Sequence, residues 1–276
     1  MKFANTKTFL AALSVAVLAL CAFSSVRADD DDYKIMSYNV RNCKGMDNQT
    51  DYARVADVIN RERPDVVALQ ELDSKTNRSK GVDVLEELAK LTNMTPSFGP
   101  AIDYQGGKYG VGILTKEKPI SVKYYSLPGS EEQRCLLMVE LRKYVFCCSH
   151  WSLTQKDRDE TVKIIREKLR EQKKPCVICG DFNAEPNEDS IKELKKDWTL
   201  LNREADFTFP SDKPSVHIDY ICAADPTGRI SPREWKDDLE RDYVVAEPVA
   251  SDHRPVVVVV DEDVFDEDLD DDDDDD

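Results

Sequence analysis

The sequence predicts an α/β fold in which two packed β-sheets are covered by helices on their outer faces. Three observations support this prediction. Strand and helix patterns alternate over residues 33–91, short apolar strand patterns dominate residues 97–149, and amphipathic helix patterns occur in both halves of the chain. Sheets that bury one face and helices that bury one stripe pack together in layers. The pattern alone also permits a single open sheet.

The first third of the chain predicts two strand–helix units. A strand is predicted over residues 33–40. Residues 52–63 place apolar side chains at helical spacing, and Pro64 ends that helix. A short buried strand follows at 66–69, and a second amphipathic helix is predicted over 82–91. Each unit therefore carries a strand and the helix that covers it.

The middle of the chain predicts an antiparallel meander. A turn at Gly106-Gly107 and charged breaks separate short apolar runs, a spacing typical of consecutive antiparallel strands. The predicted strands are residues 97–104, 111–115, 120–127, 136–141 and 144–149. Helices are then predicted at 156–172 and 190–196, with strands at 176–179, 198–201, 217–222, 242–245 and 256–260.

The amino terminus resembles an export signal. Lys2 and Lys7 precede an apolar run over residues 9–23, and Val26-Arg27-Ala28 fits a small-residue cleavage site. We therefore predict a signal peptide over residues 1–28 and a secreted or periplasmic protein. Cys21 suggests a lipoprotein as the lesser alternative. No segment approaches the roughly 20 apolar residues that a transmembrane helix needs.

The net charge of −17 is concentrated at the two ends of the mature chain. Residues 29–32 form an acidic stub with 4 carboxylates, and residues 261–276 hold 13 more, which predicts a disordered tail. Without these 17 carboxylates and the three basic residues of the leader, residues 33–260 carry about −3. We predict that this segment, residues 33–260, is the folded domain. It has no basic stripe of the kind that binds duplex DNA tightly.

Seven of the eight cysteines follow the predicted leader. An odd count argues against a complete disulfide framework. Cys176 and Cys179 have the spacing of a CxxC motif but lie in an apolar strand, where positions three apart face opposite sides. We therefore predict that the cysteines are small buried core residues.

Polar side chains recur at the ends of six predicted strands. They are Asn39, Glu71, His150, Asp181, Asn183, Asp219, Asp252 and His253. Each alone has an ordinary structural explanation, such as a turn-forming Asn or a solvent-facing Glu. Together they suit a hard cation such as Mg²⁺ and the attack of water on a phosphoester.

Seven short motifs, six of which contain these residues, follow one another along residues 33–260. They are Ser37-Tyr38-Asn39-Val40, Leu69-Gln70-Glu71, Tyr109-Gly110-Val111-Gly112, Ser149-His150, Gly180-Asp181-Phe182-Asn183, Ile218-Asp219-Tyr220-Ile221 and Ser251-Asp252-His253-Arg254-Pro255. In these motifs and their order the chain resembles the endonuclease/exonuclease/phosphatase superfamily, which includes deoxyribonuclease I, bacterial neutral sphingomyelinases, inositol-polyphosphate 5-phosphatases and apurinic endonucleases. The resemblance implies a four-layer α/β sandwich, with two packed mixed β-sheets flanked by helices, as in deoxyribonuclease I.

The resemblance also implies a role for each site residue. Glu71 resembles the main Mg²⁺ ligand, with Asn39 and Asp252 as further contacts to the metal, and Mn²⁺ is an alternative cation. His253 resembles the base that activates water, and Asp219 orients its ring.

The remaining roles concern the substrate. Asp181 resembles a residue that positions the nucleophile or handles a proton, and Asn183 a transition-state donor. His150 resembles a donor to the phosphoryl oxygens or the leaving group, and Arg134 is predicted to bind substrate together with Asn39, Asn183 and His150. Two departures, Arg41 and His150 itself, distance the chain from apurinic endonucleases, which tend to carry Asp and Tyr there.

We therefore expect an exported, monomeric, Mg²⁺-dependent phosphoesterase that hydrolyses a phosphodiester or phosphomonoester. Its substrate would be a lipid headgroup, a small phosphorylated metabolite or a nucleic acid. A secreted nuclease for DNA or RNA is the first alternative. A catalytically inactive module that binds a phosphate ligand is the alternative from another class.

Overall fold

The computed structural model describes residues 32–266, which fold into two six-stranded β-sheets. The first sheet contains, in spatial order, β11 (Leu239–Val244), β12 (Val256–Asp261), β1 (Asp32–Asn39), β2 (Val66–Ser74), β4 (Gly107–Thr115) and β3 (Thr95–Tyr104). The second contains β5 (Ser121–Leu127), β6 (Arg134–Glu140), β7 (Val145–His150), β8 (Cys176–Asp181), β10 (Asp219–Ala224) and β9 (Thr199–Leu200).

Each sheet is built around one parallel pair with antiparallel neighbours. The parallel pairs are β1–β2 in the first sheet and β7–β8 in the second. In both, a helix connects the two parallel strands, because a crossover must return the chain to the same end of the sheet. These helices are α1 (Tyr52–Glu62) and α3 (Gln155–Arg170). The two sheets thus contain equivalent strand–helix–strand units, and each unit contributes the carboxyl ends of two central strands.

Local contacts fix the ends of the first two helices. Asp51 caps α1 by accepting a hydrogen bond from the Arg54 amide, and Arg63 adopts the left-handed conformation that ends the helix. Asp83 caps α2 (Val84–Thr92) in the same way. The remaining α-helices are α4 (Asp189–Leu194) and the short α5 (Glu234–Asp237). The sequence pattern predicts α4 but not α5. The four predicted helices are confirmed, with shifted ends.

Three hydrophobic clusters separate four layers. Residues of both sheets, including Ile113, Phe146 and Val258, form the central core. The outer face of the first sheet buries α1 and α2, and that of the second buries α3 and α4. The two packed sheets and the four-layer sandwich are therefore confirmed, and the single open sheet is wrong.

The predicted meander is wrong in one respect. β3 and β4 pair in the first sheet, whereas β5, β6 and β7 pair in the second. The segment between β4 and β5, with Lys116 and Lys118 exposed, connects the two sheets. Alternation of apolar residues identifies strands but carries no information about which sheet a strand joins.

The ordered domain extends past the predicted boundary at residue 260. Strand β12 runs to Asp261, and a 3₁₀ helix follows at Glu262–Phe265. Phe265 is buried and stacks on Tyr144, with ring centroids 4.4 Å apart. The prediction of a disordered tail is thus wrong for residues 261–266, because two apolar side chains there join the core. The predicted signal peptide, residues 29–31 of the stub and residues 267–276 lie outside the described residues.

The cysteine prediction is confirmed within residues 32–266. All seven cysteines of this part of the chain are buried and free of disulfides. No helix in residues 32–266 is both long and apolar enough to span a membrane.

The central core supplies a first testable prediction. Ile221 of β10 is fully buried between the sheets, whereas Ile120 is 61% exposed. We expect Ile221→Val to lower the free energy of unfolding by about 0.5–1.5 kcal/mol, because it removes one buried methylene. The same change at Ile120 should stay within about 0.5 kcal/mol of wild type. Urea unfolding measures both, and equal effects would contradict the proposed packing of β10.

Candidate active site

The predicted site residues come from one edge of the sandwich. Asn39, His150 and Asp181 are the last residues of β1, β7 and β8. Asp219 opens β10, and His253 lies shortly before β12. Because β10 and β12 run antiparallel to β8 and β1, their starts lie beside the ends of those strands. The topology therefore collects residues from both sheets at one place.

Asp181 lies at the centre of this cluster. Its Oδ2 accepts a hydrogen bond from Asn39 Nδ2 at 3.0 Å and lies 3.5 Å from Nε2 of both His150 and His253. Its Oδ1 accepts from the Asn183 amide at 2.9 Å. The carboxylate is 2% exposed, so these four groups surround it.

Gly180 allows the strand carrying Asp181 to approach its neighbour. A Cβ atom at this position would collide with the carbonyl oxygen of Ser149 on β7. The two parallel strands are aligned there, with Ser149 opposite Gly180 and His150 opposite Asp181. The close approach brings His150 and Asp181 side by side.

Glu71 is presented by an irregularity in β2. The pairing of β2 with β4 shifts register between Leu69 and Leu72, and Glu71 has a left-handed φ of 63°. Its Oε1 accepts from Asn39 Nδ2 at 3.1 Å. Burial raises the pKa of the Glu71 carboxyl, and the charges of Asp181 and Asp252 raise it further. A cation at Glu71 would offset this clustering of negative charge, so the residues present fit a hard divalent ion.

The other two predicted metal contacts are engaged differently. The Asn39 oxygen accepts from the Arg41 amide at 3.1 Å, so the amide nitrogen of Asn39 faces Glu71. Asp252 pairs with Arg41, whose Nε lies 3.3 Å from Oδ2. The structure thus brings Asn39 and Glu71 into contact and leaves Asp252 beside them with a basic partner. Coordination by these three residues stays a prediction.

His253 lies between two carboxylates. Its Nδ1 is 2.9 Å from Asp219 Oδ2, and its Nε2 faces Asp181. Burial lowers the pKa of His253, but Asp219 and Asp181 outweigh that effect and raise it to about 10. Ligand atoms of these three residues lie within 4.8 Å of one another, a spacing that could also hold a metal. Because each ring nitrogen faces a carboxylate, the arrangement is typical of an imidazole that handles a proton.

His150 has the opposite electrostatic environment. Its Nδ1 lies 3.3 Å from Arg134 Nη1. Burial lowers the pKa of His150 to about 4, and the positive charges of Arg134 and His253 act in the same direction, against the raising effect of Asp181. Their surroundings therefore shift the pKa values of the two imidazoles in opposite directions. Paired groups whose pKa values are pushed apart commonly take different roles in a reaction.

Asn183 and Arg134 are predicted to contact substrate, and both already have protein partners. Asn183 Nδ2 donates to the carbonyl oxygen of Trp151 at 2.9 Å, which leaves one amide hydrogen for a ligand. Arg134 is 7% exposed and lies behind the His150 ring. It therefore contacts a site residue, and its contact with substrate stays a prediction.

Sequence reasoning missed three residues that shape the site. Arg41 neutralises Asp252, Ser251 Oγ donates to the Asn39 carbonyl at 2.7 Å, and the Phe209 ring packs on His253 with centroids 4.8 Å apart. Two of them have a local signal, since Arg41 lies two residues after Asn39 and Ser251 directly precedes Asp252. The contacts of Ser251 and Phe209 depend on pairings between distant segments.

Comparison with known proteins identifies the fold. The model of the family described as Endonuclease/Exonuclease/phosphatase matches residues 36–253. A Bacteroides vulgatus protein of that family is similar, with a TM-score of 0.67, 16% identity, and coverage of 83% of this chain and 98% of that chain. The mannosyl-6-phosphatase of Bacteroides thetaiotaomicron has a TM-score of 0.64, 18% identity and coverage of 83% and 99%.

A third similar structure is the catalytic domain of human nocturnin with a bound sulfate anion. Its TM-score is 0.59 at 15% identity, with coverage of 83% of this chain and 94% of that chain. At such identities the solved structures show a common fold alone. The family match spans most of the chain and confirms the resemblance that the ordered motifs indicated. The chain therefore belongs to the Endonuclease/Exonuclease/phosphatase family, whose members are divalent-metal-dependent phosphoester hydrolases.

Proposed function

We propose that this protein is an exported, Mg²⁺-dependent hydrolase of small phosphoesters, in which His253 activates the attacking water and Asp219 orients His253. The observation that carries the proposal is the position of the His253 ring between the Asp219 and Asp181 carboxylates. A proton taken from water by this ring would be stabilised by both carboxylates. Such a positioned base is commonly worth roughly 10²–10⁴ in rate.

The remaining residues would stabilise the phosphoryl group. Glu71, with Asn39 and Asp252 nearby, would hold the cation, which when bound neutralises charge on the phosphoryl oxygens. His150 and Asn183 both contact Asp181 and would donate hydrogen bonds to the same oxygens. Asp219 and Asp181 raise the pKa of His253, so offsetting their charges with a bound cation would favour the neutral ring that accepts a proton.

The charge distribution favours a small substrate over duplex DNA. The domain carries about −3 over residues 33–260, and the site itself contains the neighbouring carboxylates of Glu71, Asp181 and Asp252. Extended binding of a duplex needs several Lys or Arg contacts to phosphates. The similar fold of a mannosyl-6-phosphatase supports a phosphomonoester as one candidate. The signal-like residues 1–28 support export.

Hydrolysis of p-nitrophenyl esters tests the proposal. We expect the purified protein to release p-nitrophenol from mono- or bis-p-nitrophenyl phosphate with Mg²⁺, and EDTA to abolish the release. The ratio of the two rates separates a phosphatase from a phosphodiesterase. A panel with duplex DNA, RNA, sphingomyelin, phosphatidylinositol and sugar phosphates then identifies the substrate class.

Two outcomes would favour the alternatives. Preferential cleavage of DNA or RNA would support a secreted nuclease. Absence of turnover on every phosphoester, with a thermal unfolding curve unchanged by Mg²⁺, would support a binding module that has lost catalysis.

A further inference from the structure

A buried guanidinium contacts the ring of His150. Arg134 is the first residue of β6 and His150 the last residue of β7, so the antiparallel pairing of these strands brings the two together. Arg134 Nη1 lies 3.3 Å from His150 Nδ1, and both residues are less than 10% exposed. The contact is therefore shielded from water.

The chemistry of this contact determines where the ring proton lies. A guanidinium stays protonated in proteins and has donors only. Its approach to Nδ1 forms a hydrogen bond only if Nδ1 has a free lone pair, because two N–H groups would repel each other. The proton of the neutral ring must then be on Nε2, which faces Asp181 at 3.5 Å.

Surrounding groups hold the guanidinium in place. Arg134 contacts the carboxylates of Glu131 and Glu132, each at 3.2 Å. Glu131 in turn accepts hydrogen bonds from the Leu153 amide at 2.7 Å and from Ser152 Oγ at 2.8 Å. These two residues belong to the loop directly after His150. The loop after His150, the Glu131 carboxylate and the Arg134 guanidinium are thus linked by direct contacts that hold the guanidinium against the ring.

We infer that Arg134 is a positioning residue that holds His150 as the neutral tautomer protonated on Nε2. Resting on the proposed function, the consequence is that His150 donates a hydrogen bond to the phosphoryl oxygens and does not accept the proton of the attacking water. An Nε2–H nitrogen has no lone pair for that proton. The low pKa of His150, caused first by burial, agrees with a ring that stays neutral. Proton transfer is then left to His253, whose Nε2 also faces Asp181.

Nitrogen NMR of histidine-labelled protein tests the inference without any substrate. The chain has three histidines. At neutral pH we expect Nδ1 of His150 to show the shift of an unprotonated nitrogen and Nε2 that of a protonated one. His217 is the internal reference, since its Nδ1 lies 2.8 Å from the Asp206 carbonyl, which accepts only, and must carry the proton. A proton on Nδ1 of His150 would overturn the inference, whether or not the protein hydrolyses phosphoesters.

Two variants separate positioning from substrate binding. Arg134→Met keeps much of the volume and removes the donors, whereas Arg134→Lys keeps a donor. In Arg134→Met we expect His150 to be no longer held as one tautomer. The kcat of this variant should fall by roughly 10- to 100-fold at unchanged KM, which is part of what one such donor contributes. Arg134→Lys should restore part of the preference for the Nε2-protonated tautomer and part of kcat. A raised KM with an unchanged tautomer would instead make Arg134 a substrate ligand. If Arg134→Met does not fold, its spectrum will lack the His217 reference signals. The wild-type spectrum alone then still tests the tautomer of His150.

Discussion

Replacing His253 by alanine is expected to lower kcat on the best phosphoester substrate by roughly 10²–10⁴-fold. The variant removes the only imidazole in residues 32–266 whose Nδ1 contacts a carboxylate, and this ring also faces Asp181 through Nε2. Steady-state kinetics at saturating Mg²⁺ measures the loss. Thermal unfolding should show that the variant still folds, since the neighbouring Ser251 and Asn39 keep their hydrogen bond.

Asp219→Asn supplies the matched variant. It preserves the shape of the side chain and removes the charge that stabilises a protonated His253. Because the two residues act as one unit, we expect the double variant to be little slower than His253→Ala alone. Additive losses would show that Asp219 and His253 act separately. A kcat close to wild type in His253→Ala would remove His253 from the role of base.

Glu71→Gln is expected to raise the Mg²⁺ concentration needed for half-maximal activity by roughly 10- to 100-fold or more. Even residues that only hydrogen-bond to metal ligands contribute that much to metal affinity. The amide keeps the size of the side chain and a hydrogen-bonding group for Asn39. A Mg²⁺ titration of activity measures the change. Glu132→Gln is the control, since Glu132 is also near the site but pairs with Arg134. Its Mg²⁺ requirement should stay that of wild type.

The same variant has a distinct effect on stability. Burial and the charges of Asp181 and Asp252 raise the pKa of the Glu71 carboxyl, so its ionised form opposes folding at neutral pH when no cation is bound. We therefore expect Glu71→Gln to unfold in EDTA at the same temperature as wild type or higher. Wild type should gain thermal stability from Mg²⁺, whereas the variant should gain little. An unshifted activity titration together with a normal gain in stability would contradict the assignment of Glu71 as ligand.

Much of the fold could be predicted because its signals are local. Periodicity identified α1 and α3, and Pro64 indicated the end of α1. Strand β12 needed only its run of five valines. The ends of β2 and β6 were missed, since β2 continues through the irregular residue Glu71 and β6 begins at the charged Arg134. Neither Glu nor Arg favours strands, so pairing with distant segments determined where β2 ends and where β6 begins.

The sequence by itself determined which side chains follow which strands, and it therefore predicted the family and the membership of the polar cluster. Only the tertiary structure decided the sheet to which β5 belongs, the electrostatic difference between His150 and His253, and the position of Arg134 behind a ring. The physical reason is distance along the chain. Strand patterns and caps arise from neighbours a few residues apart, whereas the charge and tautomer of an imidazole depend on partners such as Asp219 and Arg134, 34 and 16 residues away, that only folding brings within hydrogen-bond range.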